Sequence, residues 1–318
     1  MADLKDEKID GKTYFAAMDL GTNSNRLLIV DDKGEPVYRD VRHVALGEKL
    51  AENHCFCPQA MERAICSFMD FSEMMKLYNV KKYRAIATAA CRMSSNTKDF
   101  VHDVKQASGI DIDVISEFEE ARLTLLGAKL NAPHDKKYLL VYDLGGGSTE
   151  VTLATNSDNP EILATVSVPL GARNSSEMFN LFEYNDNGAY ALEQKVLEYL
   201  NPFLQKIQAF DYLDNAALIA TSSMPLRLVS WINKHPKYDK FASDGVTVPL
   251  DVVDDTIDQI LKLDLKERSE SPYIGPNRAP IFVAACVIFR TIYRALKQKK
   301  MTASLKSAQE AIVAELAA

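Results

Sequence analysis

Two short stretches place an aspartate directly before a turn rich in small residues. They are Asp19-Leu20-Gly21-Thr22-Asn23-Ser24 and Asp143-Leu144-Gly145-Gly146-Gly147-Ser148-Thr149. Glycines let backbone N–H groups approach an anion closely and form a nest for it. The hydroxyls of Thr22, Ser24, Ser148 and Thr149 add donors. A carboxylate at the entrance to such a loop can hold Mg²⁺ beside bound phosphates, directly or through water. The chemistry these residues could do is therefore phosphate binding next to a divalent cation. Plain hairpin turns use the same residue types, but three consecutive glycines exceed what a plain turn needs. Each loop runs from strand to strand, so neither matches a P-loop or a dinucleotide fingerprint.

The elements that must position these loops are repeated. Sliding the chain by 124 residues lays Asp19-Leu20-Gly21 on Asp143-Leu144-Gly145, and also Lys12 on Lys136, Tyr14 on Tyr138, Ser24 on Ser148 and Pro36 on Pro160. At the same offset VALG (44–47) meets VPLG (168–171). Several matches in one order point to a duplicated domain. In each half the pattern predicts a strand, the tight turn, a second strand, a polar turn and a third strand ending near the Leu-Gly pair. A long amphipathic helix follows, at PQAMERAICSFMDFSEMMKLY and YALEQKVLEYLNPFLQKIQAF, then a strand ending in Ala-Thr and further helices. Two such α/β halves leave a cleft between them, where ligands bind.

The 318 residues are enough for two domains, and 47% apolar with 25% charged residues is the composition of a globular protein. A net charge of −7 argues against a general nucleic-acid surface while leaving room for a local basic cleft. Five scattered cysteines do not form a disulfide framework, so a reducing, cytoplasmic setting is expected. His54-Cys55-Phe56-Cys57 lacks the second ligand pair a zinc site needs. The charged N-terminal stretch has no apolar core of a signal peptide. The apolar run 279–289 is too short to span a bilayer and reads as a buried helix, so no membrane is expected.

Five segments resemble the exopolyphosphatase / guanosine pentaphosphate phosphohydrolase family, which groups with actin, sugar kinases and the 70-kDa heat-shock chaperones. AAMDLGTNSNRLLIV and YDLGGGSTEV resemble its two phosphate loops. IATAACRMSSN (86–96), VISEFEEARLTLLGA (114–128) and VPLGA (168–172) resemble its other signatures. The resemblance spans about residues 12 to 310. It implies two similar ribonuclease H-like domains, the actin-like duplication, with an interdomain cleft. The expected organisation is 12–130 and 131–302, with 303–318 a helix packed back on the first domain. By position in the EEAR element, Glu120 is implied as general base. An acidic first helical turn alone would say only that the helix dipole is satisfied. The resemblance also implies that Arg92 stabilises the transferring phosphoryl group. Phosphate contacts fall to Gly21, Thr22, Asn23, Ser24 and Gly145, Gly146, Gly147, Ser148, Thr149. Mg²⁺ is expected on Asp143, with Asp19 and Glu150.

The implied reaction is Mg²⁺-dependent release of orthophosphate from the end of inorganic polyphosphate by a homodimer. The alternatives are guanosine pentaphosphate hydrolysis, phosphotransfer to a nucleotide, and binding without catalysis. Several positions depart from the family pattern. Glu117 stands where the family has glycine, and ATSSM (220–224) replaces GTGGT, putting Ser222 and Ser223 at its inner glycines. The family's RADVILAGA reads RAPIFVAAC (278–286), and Gln309 replaces an arginine. These changes put the distal substrate contacts, and a nucleoside pocket above all, in doubt. The chain ends near where two-domain relatives end, which favours short chains. A basic run from Arg290 and Arg294 to Lys300 is a solvated helix face or a polyanion track.

Overall fold

The computed structural model describes residues 13–318. Lys12 and the charged N-terminal stretch lie outside the described residues. The first lobe opens with β1 (Tyr14–Leu20), β2 (Ser24–Val30) and β3 (Pro36–His43). A short α1 (Leu50–Asn53) and the long α2 (Pro58–Leu77) lead to β4 (Val80–Ala87). Then come α3 (Ala89–Met93), α4 (Thr97–Ser108), β5 (Ile112–Val114) and α5 (Glu117–Ala128). The second lobe repeats the opening with β6 (Tyr138–Leu144), β7 (Thr149–Thr155) and β8 (Ile162–Val168). It continues through α6 (Ala172–Met178), α7 (Asp186–Ile207), β9 (Ala216–Thr221), α8 (Ser223–Ile232) and α9 (Lys240–Ser243). The chain closes with β10 (Thr247–Pro249), α10 (Leu250–Leu261), α11 (Leu265–Glu270), α12 (Ala279–Ala295), β11 (Lys300–Ser304) and α13 (Ala308–Ala317).

The strand order of the first sheet is β3-β2-β1-β4-β5. The second is β10-β11-β9-β6-β7-β8. Without the antiparallel edge strand β10, the two orders are the same. In both, the first three strands are antiparallel neighbours and the next pairings are parallel. The duplication expected from the 124-residue offset is thus a duplication of topology. The apolar segment 279–289 is the buried front of α12, which packs on α7 against the second sheet. No helix is long and apolar enough to cross a membrane among the described residues.

One helix joins the lobes. Leu123 of α5 packs into a cluster with Phe15, Ala17 and Ile86 of the first sheet. Leu125 and Ala128 of the same helix pack with Leu139, Val141, Ala154 and Ile219 of the second. A helix buried on two faces cannot carry a strong polar stripe, and α5 is apolar or small almost throughout after its first turn. The C-terminal helix α13 crosses back, placing Ala308, Ala311, Ile312 and Val313 against β1, β2 and α5. Gly127 allows the crossing, because a Cβ there would lie 1.8 Å from the Ser307 carbonyl oxygen. Arg122 then ties the two helices by binding both Glu119 and Glu315.

Candidate active site

Both Gly-rich turns are tight hairpins. Gly21 N–H donates to the Ser24 carbonyl at 3.2 Å and Gly145 N–H to the Ser148 carbonyl at 2.9 Å. They meet across the interlobe cleft around a cavity of about 90 Å³. Its wall includes Asp19, Gly21, Thr22, Asn23 and Ser24 from one lobe and Asp143, Gly145, Gly146, Gly147 and Ser148 from the other, with Glu120 between them. Three expected site residues stand behind that wall. Thr149 is fully buried and donates to the Leu170 carbonyl at 2.7 Å, so its hydroxyl holds the loop. Glu150 is buried and accepts from Ser167 at 2.8 Å. Arg92 faces Glu120.

The triple glycine has a further cause besides anion binding. A Cβ on Gly146 would fall 2.7 Å from Asn23 Nδ2 and 2.9 Å from Thr22 Cβ. One on Gly147 would meet Thr22 Oγ1 at 3.0 Å. The missing side chains at 146 and 147 therefore let the two loops touch. From below, Gly171 lies so close that its Cβ would sit 2.5 Å from the backbone of Gly146 and Gly147. The Leu-Gly pair found in both halves supports its own loop in each. The Thr22 carbonyl accepts from Gly47 N–H, and the Gly145 and Gly146 carbonyls accept from Ala172 and Arg173.

The three acids at the start of α5 have separate fates. Ser116 caps the helix by accepting from Glu119 N–H at 3.2 Å. Glu117 is exposed to solvent. Glu119 is held by Arg84 and Arg122, which keep its carboxyl below its ordinary pKa. Only Glu120 turns into the cleft, where it is 8% exposed. Arg92 Nη1 donates to Glu120 Oε2 at 2.9 Å and to the Ile115 carbonyl at 3.0 Å. Burial pushes the Glu120 carboxyl well up, nearby Glu150 adds to this, and Arg92 opposes it. A carboxyl raised in this way accepts a proton more readily than an exposed one, which suits a general base.

The two aspartates are not equivalent, although they align in the repeat. Asp19 stands opposite Arg26 on the β1–β2 ladder, and the pair is an ion pair at 3.5 Å. At the equivalent position Asp143 stands opposite Glu150. Burial raises the pKa of Asp143, and the Thr221 hydrogen bond, the Arg26 charge and the Thr124 hydrogen bond only partly offset it. Glu150 is pushed up to about 7 by burial and by Asp143. The second lobe thus holds two facing carboxylates without an arginine between them. That donor set suits a hard divalent cation held by one or two carboxylates and completed by water and substrate oxygens. It does not suit an all-protein cage, for no cluster of three or more His, Cys, Asp or Glu with ligand geometry exists among the described residues.

Sequence reasoning passed over the basic side of the cleft. Arg26 and Arg278 both line the cavity, and Arg278 Nη2 reaches Ser24 Oγ at 3.4 Å. Arg173 donates to Asn23 Oδ1, holding the first loop from the second lobe. Arg26 could have been found from the repeat, because it aligns with Glu150. Arg278 precedes the apolar helix, where it keeps the arginine of the RADVILAGA element, and that match was the signal for it. The basic run after Arg290 is neutralised in part. Arg290 binds Asp254 and Asp258, and Arg294 binds Asp254, so these two arginines are not a free track.

Two like lobes with facing Gly-containing hairpin loops and a buried carboxylate at their junction define an α/β protein with a candidate phosphoryl-handling cleft. The chain belongs to the Ppx/GppA phosphatase family, whose model matches residues 28–318. It is 27% identical to exopolyphosphatase 2 of Mycobacterium tuberculosis over 90% of this chain and 92% of that protein. It is 26% identical to the bifunctional 3-dehydroquinate synthase/phosphatase of Fusobacterium nucleatum, matching 87% of this chain but only 42% of that longer protein. A crystal structure of an exopolyphosphatase-like protein superposes with a TM-score of 0.87 at 25% identity, covering 96% of this chain and 98% of the other.

Proposed function

We propose that the chain is an exopolyphosphatase that releases orthophosphate from the end of inorganic polyphosphate, with short chains preferred. The observation that carries this reading is the position of Glu120 at the seam where the two hairpin loops meet. A terminal phosphoryl group held between the loops by backbone N–H groups and hydroxyls would place its phosphorus within reach of a water beside Glu120. Glu120 orients that water and takes its proton, while Arg92 keeps the carboxylate ionised and aimed. Arg26 and Arg278 supply positive charge on the opposite side of the cleft for the equatorial oxygens. Asp143, with Glu150 behind it reaching through water, would hold Mg²⁺, which neutralises charge on the phosphate oxygens when bound.

The test is phosphate release from short linear polyphosphate with Mg²⁺, with and without ADP, beside guanosine pentaphosphate. Release without ADP is expected. Transfer to ADP, or binding without any release, would overturn the reading. Homodimer formation is proposed with it and is checked by sedimentation.

A further inference from the structure

A second cavity of about 520 Å³ opens beside the first and shares Arg26, Ser222, Ser223 and Arg278 with it. Both lobes line it. Arg39 stands on one side, and Arg227, Lys237 and Lys240 on the other. Six basic side chains thus face two carboxylates of the lining, Asp40 and Asp239, and two of the six, Arg26 and Arg39, pair with Asp19 and Glu310 outside it. Neither carboxylate is free. Asp239 caps α9 by accepting from Phe241 and Ala242 N–H, and Asp40 holds Arg42 at 2.7 Å. Among the described residues, Arg227, Arg278, Lys237 and Lys240 have no carboxylate within ion-pair distance. The charges press on each other. Burial, Arg227 and Arg26 lower the pKa of Arg278, and burial, Arg39 and Arg26 lower that of Lys240. A concentration of like charge in a cleft costs free energy that a polyanion recovers.

One residue shared by the two cavities has an unusual backbone. Ser222 has φ 83 and ψ −178, a region that only glycine occupies without strain. The chain keeps a glycine-type turn there although the residue is serine.

We propose that the second cavity seats the phosphates downstream of the scissile bond, so that Lys237, Lys240 and Arg227 set the preference for chain length. This rests on the polyphosphate reading above. The small first cavity has room for the reacting end only, and a linear chain leaving it passes Ser222 and Arg278 into the larger one. Both rings of the lining already carry a cation on one face, Tyr238 the Arg227 guanidinium at 3.9 Å and Phe241 the Lys240 ammonium at 5.1 Å, and this cationic lining favours a phosphate chain over a nucleoside as the occupant.

The experiment uses a K237M/K240M double variant of the full chain, assayed with tripolyphosphate and with linear polyphosphate of about fifteen residues. Two lost phosphate contacts should lower the long-to-short ratio of kcat/KM about tenfold. Calorimetric binding of the long chain should weaken by a similar factor and lose part of its salt dependence. An unchanged ratio with unchanged binding overturns the proposal. So does a selective loss of guanosine pentaphosphate hydrolysis, which would make the cavity a nucleoside site. The binding arm needs no turnover. A protein that binds the chain through these lysines yet releases no phosphate would therefore fail the catalytic reading alone.

Discussion

Asp143 and Glu150 face each other as a cross-strand pair of β6 and β7, at the positions where the first lobe pairs Asp19 with Arg26. One substitution between the repeats, arginine against glutamate, converts an ion pair into a pair of facing acids. The two halves of the cleft therefore divide the labour: one loop is backed by a cation from the chain, the other by acids that call for a cation from solution.

This pair predicts how stability depends on pH. Glu150 titrates near 7 in the folded chain instead of 4.5, so the folded state holds its proton more tightly than the unfolded one. Its contribution is full below the unfolded pKa and is lost as pH rises toward 7, up to about 3 kcal/mol. Asp143, Asp19 and Glu120 are shifted the same way. In EDTA the melting temperature should fall between pH 5 and pH 8, and Glu150→Gln should flatten that fall. Mg²⁺ should raise the melting temperature at pH 8 and barely at pH 5, since it competes with the protons. A stabilisation by Mg²⁺ that is equal at both pH values would contradict the assignment of these acids to the cation.

Glu120 and Arg92 predict a separable pair of kinetic effects. Glu120→Gln should lower kcat by about 10² to 10⁴ while polyphosphate binding is largely retained. Arg92→Gln removes the charge that opposes the upward shift of Glu120, so the acid limb of the kcat profile should move to higher pH. A uniform drop in rate with no movement of that limb would show that Arg92 does not act through Glu120.

The loop contact predicts that Gly146→Ala acts on activity more than on stability. The added methyl meets the end of Asn23, which can yield, and Thr22 Cβ, which yields only if the first loop moves. A displacement of about 1 Å costs on the order of 10² in rate. Turnover and melting temperature measured together check this. Unimpaired turnover would mean that the loops need not touch.

Ser222 predicts a stabilising substitution. Its strained backbone costs about 1–3 kcal/mol, and Ser222→Gly loses about 0.5–1 kcal/mol through the unfolded chain. The net expectation is a gain of about 1 kcal/mol in urea unfolding. A loss would show that serine makes contacts here worth more than the strain.

Much of this molecule was legible in one dimension because the repeat is ungapped through its first three strands. Strand, tight turn and strand at a fixed offset specify the same hairpin twice, and hydrophobic period then separates α2 and α7 from the strands around them. The acids at the start of α5 could be located but not distinguished. Helical rotation separates Glu117, Glu119 and Glu120 by about 100° per residue, and which face meets the cleft depends on where the second sheet lies. The basic lining was not legible either, since Arg39, Arg227, Lys237 and Arg278 are far apart along the chain and share no motif.

By itself the sequence determined two like α/β lobes, two aspartate-led loops and a carboxylate near them, since each is a matter of local pattern and internal repetition. Only the tertiary structure decided that the glycines make room for the opposite loop, that Arg92 is spent on Glu120, and that Asp19 is neutralised where Asp143 is not. Those outcomes depend on which distant chain segments meet, even the 28 residues between Arg92 and Glu120, or on cross-strand register, and local propensity carries no information about either.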